Sequence, residues 1–186
     1  MKIENLSFSY GDKKIFENLN VRFPESGTVF IDAPSGRGKT TLFHLIAGIY
    51  RPQSGRIEKE NKKIAYMFQE DRLFPEFSAL ENVFCVRDGS RTQAAELLEQ
   101  LGLGAELASL PKALSGGMKR RVALARALNF NAEILLLDEP FKGLDADTAS
   151  QTAEVLKNHS KEKLLLIASH ITGHDLWDDA TVFTLP

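Results

Sequence analysis

Residues 27 to 48 read GTVFIDAPSGRGKTTLFHLIAG. The apolar run from Thr28 to Ile31 predicts a buried strand. A glycine-bearing loop follows from Ala33 to Lys39. Leu42, Leu45, Ile46 and Ile49 then recur at helical spacing, with Gly48 near the expected helix end. Strand, glycine-bearing loop and Gly-Lys-Thr at a helix start make a phosphate-binding P-loop pattern. Small residues let successive backbone N–H groups wrap a phosphate chain, and the helix N-terminus adds unpaired donors and the positive end of its dipole. Lys39 is expected to bridge the β- and γ-phosphates as a point charge, and the Thr40 hydroxyl to ligate Mg²⁺. The strand and helix on either side argue against a chance Gly-Lys-Thr in a surface loop.

One position departs from the GxxxxGK[ST] pattern: Ala33 stands where the first glycine should be. The next residue is Pro34, and a residue before proline is driven towards extended backbone. Alanine occupies that region without strain, so no positive φ is needed. Arg37 is bulky for such a loop, but a loop that binds through its backbone lets this side chain face outward. Gly36 and Gly38 remain.

The 186 residues suffice for one full-sized domain with a sizeable core. With 23 basic against 25 acidic residues and a net charge of −2, nucleic acid is not an expected partner. The single cysteine, Cys85, cannot make an internal disulfide, which fits a reducing compartment, and its apolar neighbours predict a core position. The first ten residues carry no secretory pattern. No apolar run approaches the ~20 residues that span a bilayer, so the chain itself is not expected to cross one.

Upstream of the P-loop, Leu6, Phe8 and Tyr10 alternate with Ser7 and Ser9 as a strand, 11–14 reads as a hairpin turn, and 15–23 returns. This predicts an antiparallel patch beside a nucleotide site. Downstream, 52–55 reads as a break and 64–68 as a buried strand running into Gln69, Glu70 and Asp71. The segment 72–86 shows no clear period, and 91–101 is helical, closed by Gly102. Ser115 is the expected N-cap of a helix to Leu128, and Asp145 that of a helix over 146–158. The apolar runs 134–137 and 164–168 read as strands buried on both faces, and 181–185 as a last short strand. Strands alternating with helices predict an α/β fold with a mainly parallel sheet and ligand groups at its strand ends.

Two further stretches carry chemistry. In ILLLDEP, 134–140, a carboxylate ends a buried strand, the position from which Asp138 would hold Mg²⁺ and the adjacent Glu139 would polarise an attacking water. In LSGGM, 114–118, Ser115, Gly116 and Gly117 offer a hydroxyl and helix-start N–H groups, an anion site without a lysine of its own. Two phosphate sites in one chain suggest that they meet in a dimer.

Taken in order, Tyr10, the loop 33–40, Gln69, LSGGM, LLLDEP (135–140), GLD (143–145) and Ser-His (169–170) resemble the ATP-hydrolysing subunits of ABC (ATP-binding cassette) transporters. The resemblance spans essentially the whole chain. It implies one P-loop ATPase domain over 1–186, with a helical subdomain at about 72–128. It implies that Tyr10 stacks on adenine and that Ala33, Pro34, Ser35, Gly36, Arg37, Gly38, Lys39, Thr40 and Thr41 form the phosphate loop. Gln69 would touch Mg²⁺ and the attacking water, and Asp138 and Glu139 would be metal carboxylate and catalytic base. Ser115, Gly116 and Gly117 would reach the γ-phosphate of ATP held by an opposing subunit. Leu144 and Asp145 would cross the dimer interface, and His170 would hydrogen-bond the γ-phosphate. Met118 replaces the usual glutamine of the signature.

The implied function is ATP hydrolysis by two head-to-tail domains around two ATP, driving transmembrane permease subunits. The second domain is another copy or a paralogous ATPase subunit, at the cytoplasmic face of the membrane, with a substrate-binding protein completing an importer. The segment QEDRLFPEFSALENV, 69–83, resembles importer ATPases of nitrate, sulfonate and taurine systems. With His170 so near the end of the sequence, no appended regulatory domain is expected. The competing readings are a soluble ABC-type ATPase outside transport and a small P-loop kinase. The latter has no need of LSGGM, GLD and Ser-His.

Overall fold

The computed structural model describes residues 1–86, 90–169, 177 and 180–186. Its centre is a five-stranded sheet in the order β5-β6-β7-β3-β8. The strands are β3 (Gly27–Asp32), β5 (Ile64–Met67), β6 (Ile134–Asp138), β7 (Leu164–Ala168) and β8 (Thr181–Thr184). Every pairing in it is parallel. All five residues of β6 and of β7 are buried, as the apolar run of β7 and the first four residues of β6 require; the fifth, Asp138, is a buried carboxylate at the strand end. In this register β3, β5, β6 and β7 end on one edge. The segments after Asp32, Met67, Asp138 and Ala168 therefore converge there.

Successive residues of each strand feed opposite cores. Leu135, Leu137, Leu165, Ile167 and Phe30 face helices α2 (Ala79–Phe84), α3 (Arg91–Gln100), α4 (Gly116–Asn129) and α5 (Ala146–Ser160). Ile134, Leu136, Leu164, Leu166, Val29 and Ile31 face α1 (Lys39–Ala47) and an antiparallel sheet. That sheet has the order β2-β1-β4, from β1 (Lys2–Tyr10), β2 (Lys13–Arg22) and β4 (Ser54–Glu58).

The predicted elements are present, with four differences. The hairpin turn is shorter than expected, because β2 begins at Lys13. The break after α1 does not extend to residue 55: β4 begins at Ser54 and pairs antiparallel with β1. Gly55 is required there, since a Cβ at its φ of +79° would lie 2.4 Å from the carbonyl oxygens of Glu4 and Asn5. Helix α1 stops at Ala47 with Gly48 left-handed, so Ile49 leaves the apolar stripe and is 50% exposed. Cys85 is exposed at the end of α2 rather than in the core, because that short helix has already turned its buried face away through Ala79, Asn82 and Val83.

Candidate nucleotide site

The loop between β3 and α1 opens a cleft of about 330 Å³, walled by Tyr10, Lys13 and Ile15 on one side and by Gln69, Asp138 and Glu139 on the other. Its floor is Pro34, Ser35, Gly36, Gly38, Lys39, Thr40 and Thr41. Gly38 caps α1 at φ +105°, and a Cβ there would lie 2.8 Å from Ile15 and 2.9 Å from Phe16. The antiparallel sheet thus presses directly on the loop, and this position admits only glycine. Ala33 is buried behind the loop, outside the positive-φ region, as Pro34 demands, and its carbonyl accepts from the Lys39 ammonium. Arg37 points its side chain to solvent. The Tyr10 ring, 44% exposed, stands edge-on to Phe8 and Tyr50, with its hydroxyl 3.2 Å from that of Thr41.

The Thr40 hydroxyl donates to Asp138 at 2.7 Å. Asp138 is only 2% exposed. Burial pushes its carboxyl above the usual carboxylate range, opposed by the Thr40 hydrogen bond and the charge of Arg120. Burial likewise pushes the Tyr66 phenol up, aided by the Asp138 charge beside it, and pushes the His44 imidazole down. His44 packs edge-on between Tyr50 and Tyr66, a structural role. Glu139 has φ +56°, the left-handed region that a long side chain rarely enters, and its N–H donates to the Ala168 carbonyl at 2.7 Å.

Ser115, Gly116 and Gly117 lie apart from that cleft. They line a second one, of about 550 Å³, with Arg120, Arg121, Lys142, Gly143, Leu144 and Asp145. The Ser115 hydroxyl oxygen caps α4 by accepting from the Met118 N–H at 3.2 Å, which leaves its own hydrogen free to donate. A Cβ on Gly117 would lie 3.1 Å from the Gly143 carbonyl, so the GLD loop rests on the signature loop. Met118 packs its side chain against the helical core. Gln69 lines both clefts. His170 falls outside the described residues.

Sequence reading missed Lys13 and Ile15, whose strand positions carry no motif. It also missed Arg120. The sole hint was a charge adjoining the face of Val122, Ala125 and Leu128 on a helix otherwise well patterned for burial.

A glycine loop on a helix N-terminus, a buried strand-end carboxylate bonded to the loop's Thr hydroxyl and a parallel sheet beneath them define a P-loop nucleoside triphosphatase. The profile of the ABC transporter family matches residues 16–142. The chain is 34% identical to an aliphatic sulfonates import ATP-binding protein of Pseudomonas syringae pv. tomato, over 91% of this chain and 75% of that protein. It is 38% identical to its Bacillus cereus counterpart, over 86% and 69%. It is 32% identical to the intermembrane phospholipid transport ATP-binding protein MlaF of Haemophilus influenzae, over 95% and 75%. Among solved structures it resembles a dimeric post-hydrolysis state of the ATP-binding cassette MJ0796 bound to ADP and Pi, with TM-score 0.80 and 30% identity over 91% of this chain and 87% of that one. It also resembles a bacterial Atm1-family ABC exporter with ATP bound, with TM-score 0.89 and 26% identity over 100% of this chain and 37% of that one. The chain belongs to the ABC transporter family. Within it, this is an ATP-hydrolysing subunit.

Proposed function

We propose that two copies of this chain, or this chain and a paralogue, close head to tail around two ATP and drive transmembrane permease subunits of an importer. The observation that carries this is the separation of the two clefts. Lys39, Thr40, Asp138 and Glu139 converge in one, and Ser115 to Gly117 line the other. Apart from Gln69 the two clefts share no lining residue, so we assign the second set to the triphosphate held by another chain. A second chain turned by a two-fold axis brings each signature loop over the opposite phosphate loop. The dimeric state of the MJ0796 cassette supports pairing of two such chains.

The donor set fits Mg²⁺. A threonine hydroxyl and a carboxylate 2.7 Å apart, with a glutamine on the same wall, are hard oxygen ligands. When bound, Mg²⁺ supplies charge neutralisation on the β- and γ-oxygens. Lys39 and the loop N–H groups hold the phosphates, and Tyr10 and Ile15 hold the base. Glu139 takes up a proton from the attacking water, with Gln69 and His170 orienting that water.

No described helix is long and apolar enough to cross a membrane. The side chains of Phe74 and Phe77, 49% and 40% exposed with ring centroids 5.3 Å apart, form the apolar patch that we assign to the permease contact. In this reading the subunit works at the cytoplasmic face of the membrane. Residues 1–186 act as one ATPase domain, with the helical subdomain at about 72–128. The sulfonate-import relatives support small organic oxyanions as cargo, delivered by a substrate-binding protein.

Glu139→Gln tests the site. ATP binding is expected to persist while turnover falls by about 10²-fold or more. Light scattering at high protein concentration is expected to show that variant dimerising with ATP and Mg²⁺. Undiminished turnover would remove Glu139 as the base, and a monomer at saturating ATP would remove the sandwich. Capture of a multi-spanning protein from detergent-solubilised membranes in stoichiometric amount tests the transport role. Recovery of soluble partners alone would count against it.

A further inference from the structure

We infer that Arg120 is a positioning residue for hydrolysis: from α4 it fixes the backbone of Glu139 and Gln69 so that both side chains face the nucleotide cleft. The inference rests on the roles proposed above for those two residues.

Arg120 is 3% exposed, and all three guanidinium nitrogens are engaged. Nε donates to the Glu139 carbonyl at 2.9 Å. Nη1 donates to the carbonyls of Phe68 at 2.9 Å and Gln69 at 3.0 Å and to the Asp71 carboxylate at 2.9 Å. Nη2 donates to the Asp138 carbonyl. One planar fork thus joins the ends of two neighbouring strands, β5 and β6. A lysine, with a single point of charge, cannot span them.

The Glu139 bond matters most. At φ +56° this residue is held against its preference, since a long side chain strains the left-handed region. Three hydrogen bonds to its backbone hold it there: its N–H donates to the Ala168 carbonyl, and its carbonyl accepts from Arg120 Nε at 2.9 Å and, at the longer 3.2 Å, from the Lys142 N–H. Relaxation of Glu139 to a right-handed or extended backbone would redirect its Cα–Cβ bond and carry the carboxylate away from the attacking water. The Gln69 carbonyl is held by the same fork, and Arg126, further along α4, continues the grip through the carbonyls of Asp71 and Arg72, each at 2.9 Å. Among the five residues that the fork binds are the two to which the proposed function gives the orienting and activating of water, Gln69 and Glu139.

The test is to separate binding from turnover in the full chain. For Arg120→Gln, ATP affinity by titration calorimetry is expected within about threefold of wild type, because the phosphate loop is untouched, while kcat falls about 10- to 100-fold. Should Arg120→Gln not fold, Arg120→Lys carries the same test: it keeps charge and bulk, and the same split is expected. Asp71→Asn in combination with Arg120→Gln is expected to cost no more turnover than Arg120→Gln alone, since the two partners share one contact. A kcat within threefold of wild type overturns the inference. So does an ATP affinity that falls in step with kcat, or full additivity with Asp71→Asn. Glu139→Gln run alongside keeps the two failures apart. If it retains full turnover, the reading of Glu139 as base falls, whatever Arg120 does.

Discussion

Gly38 shows how much of the site is decided by single residues. Its backbone conformation and the 2.8 Å approach of Ile15 leave no space for a side chain. Gly38→Ala is expected to lower stability by about 2 kcal/mol, read as a drop in melting temperature. It should also weaken ATP binding, because relief of the clash moves the loop N–H groups. Lys39→Ala should leave the melting temperature of the nucleotide-free chain nearly unchanged and abolish the stabilisation that ATP confers in a thermal-shift titration. Lys39, Thr40 and Asp138 were legible in the sequence because phosphate chemistry fixes both residue type and spacing. Lys13, Ile15 and Arg120 were not. The first two owe their place to a hairpin folding over the loop, and the third to two carbonyls and a carboxylate 49 to 52 residues distant in sequence that no pattern announces.

Among the elements, α2 and β4 are instructive. Helix α2 has only six residues, too few for a periodic signal, yet Ser78 and Glu81 form a capping box around its start. That pair lies in the stretch 72–86, whose lack of a clear period gave no helix in the sequence, and it marks the start of α2 better than hydrophobicity does. Ser78→Ala is expected to cost about 1 kcal/mol in chemical denaturation. The Ser78 N–H, and then its hydroxyl, hold the Glu81 carboxyl below the usual carboxylate range. A depressed folded pKa gives stability that is present above the unfolded value and lost as pH falls through the folded one. Glu81→Ala should therefore be less stable than wild type at neutral pH, and the two melting temperatures should converge in acid once Glu81 is protonated. Strand β4 was hidden for a different reason. It has one apolar residue, Ile57, in five and is mostly exposed at an edge, so tertiary pairing with β1 and the Arg56–Glu4 contact at 2.7 Å define it rather than alternation. Strands β6 and β7, buried on both faces, had no such ambiguity.

For the molecule as a whole, the two-cleft arrangement makes a prediction about mixtures. Lys39→Ala spoils the phosphate loop of a chain and spares its signature, and Ser115→Arg does the reverse. Each is expected to be inactive alone. Mixed in equal amounts, half of the pairs combine the two variants, and in each of those one site draws only intact parts, giving about a quarter of wild-type turnover. No recovery on mixing would mean that each chain completes its own site.

The same division also sets the kinetic order of the reaction. A chain that carries two half-sites, each completed by another chain, works by encounter, so dilute subunits are expected to turn over in proportion to the square of their concentration. A permease that holds two copies side by side replaces encounter with an effective concentration fixed by geometry. Coupling to transport then needs no new catalytic group: bringing the pair together or apart is already the switch.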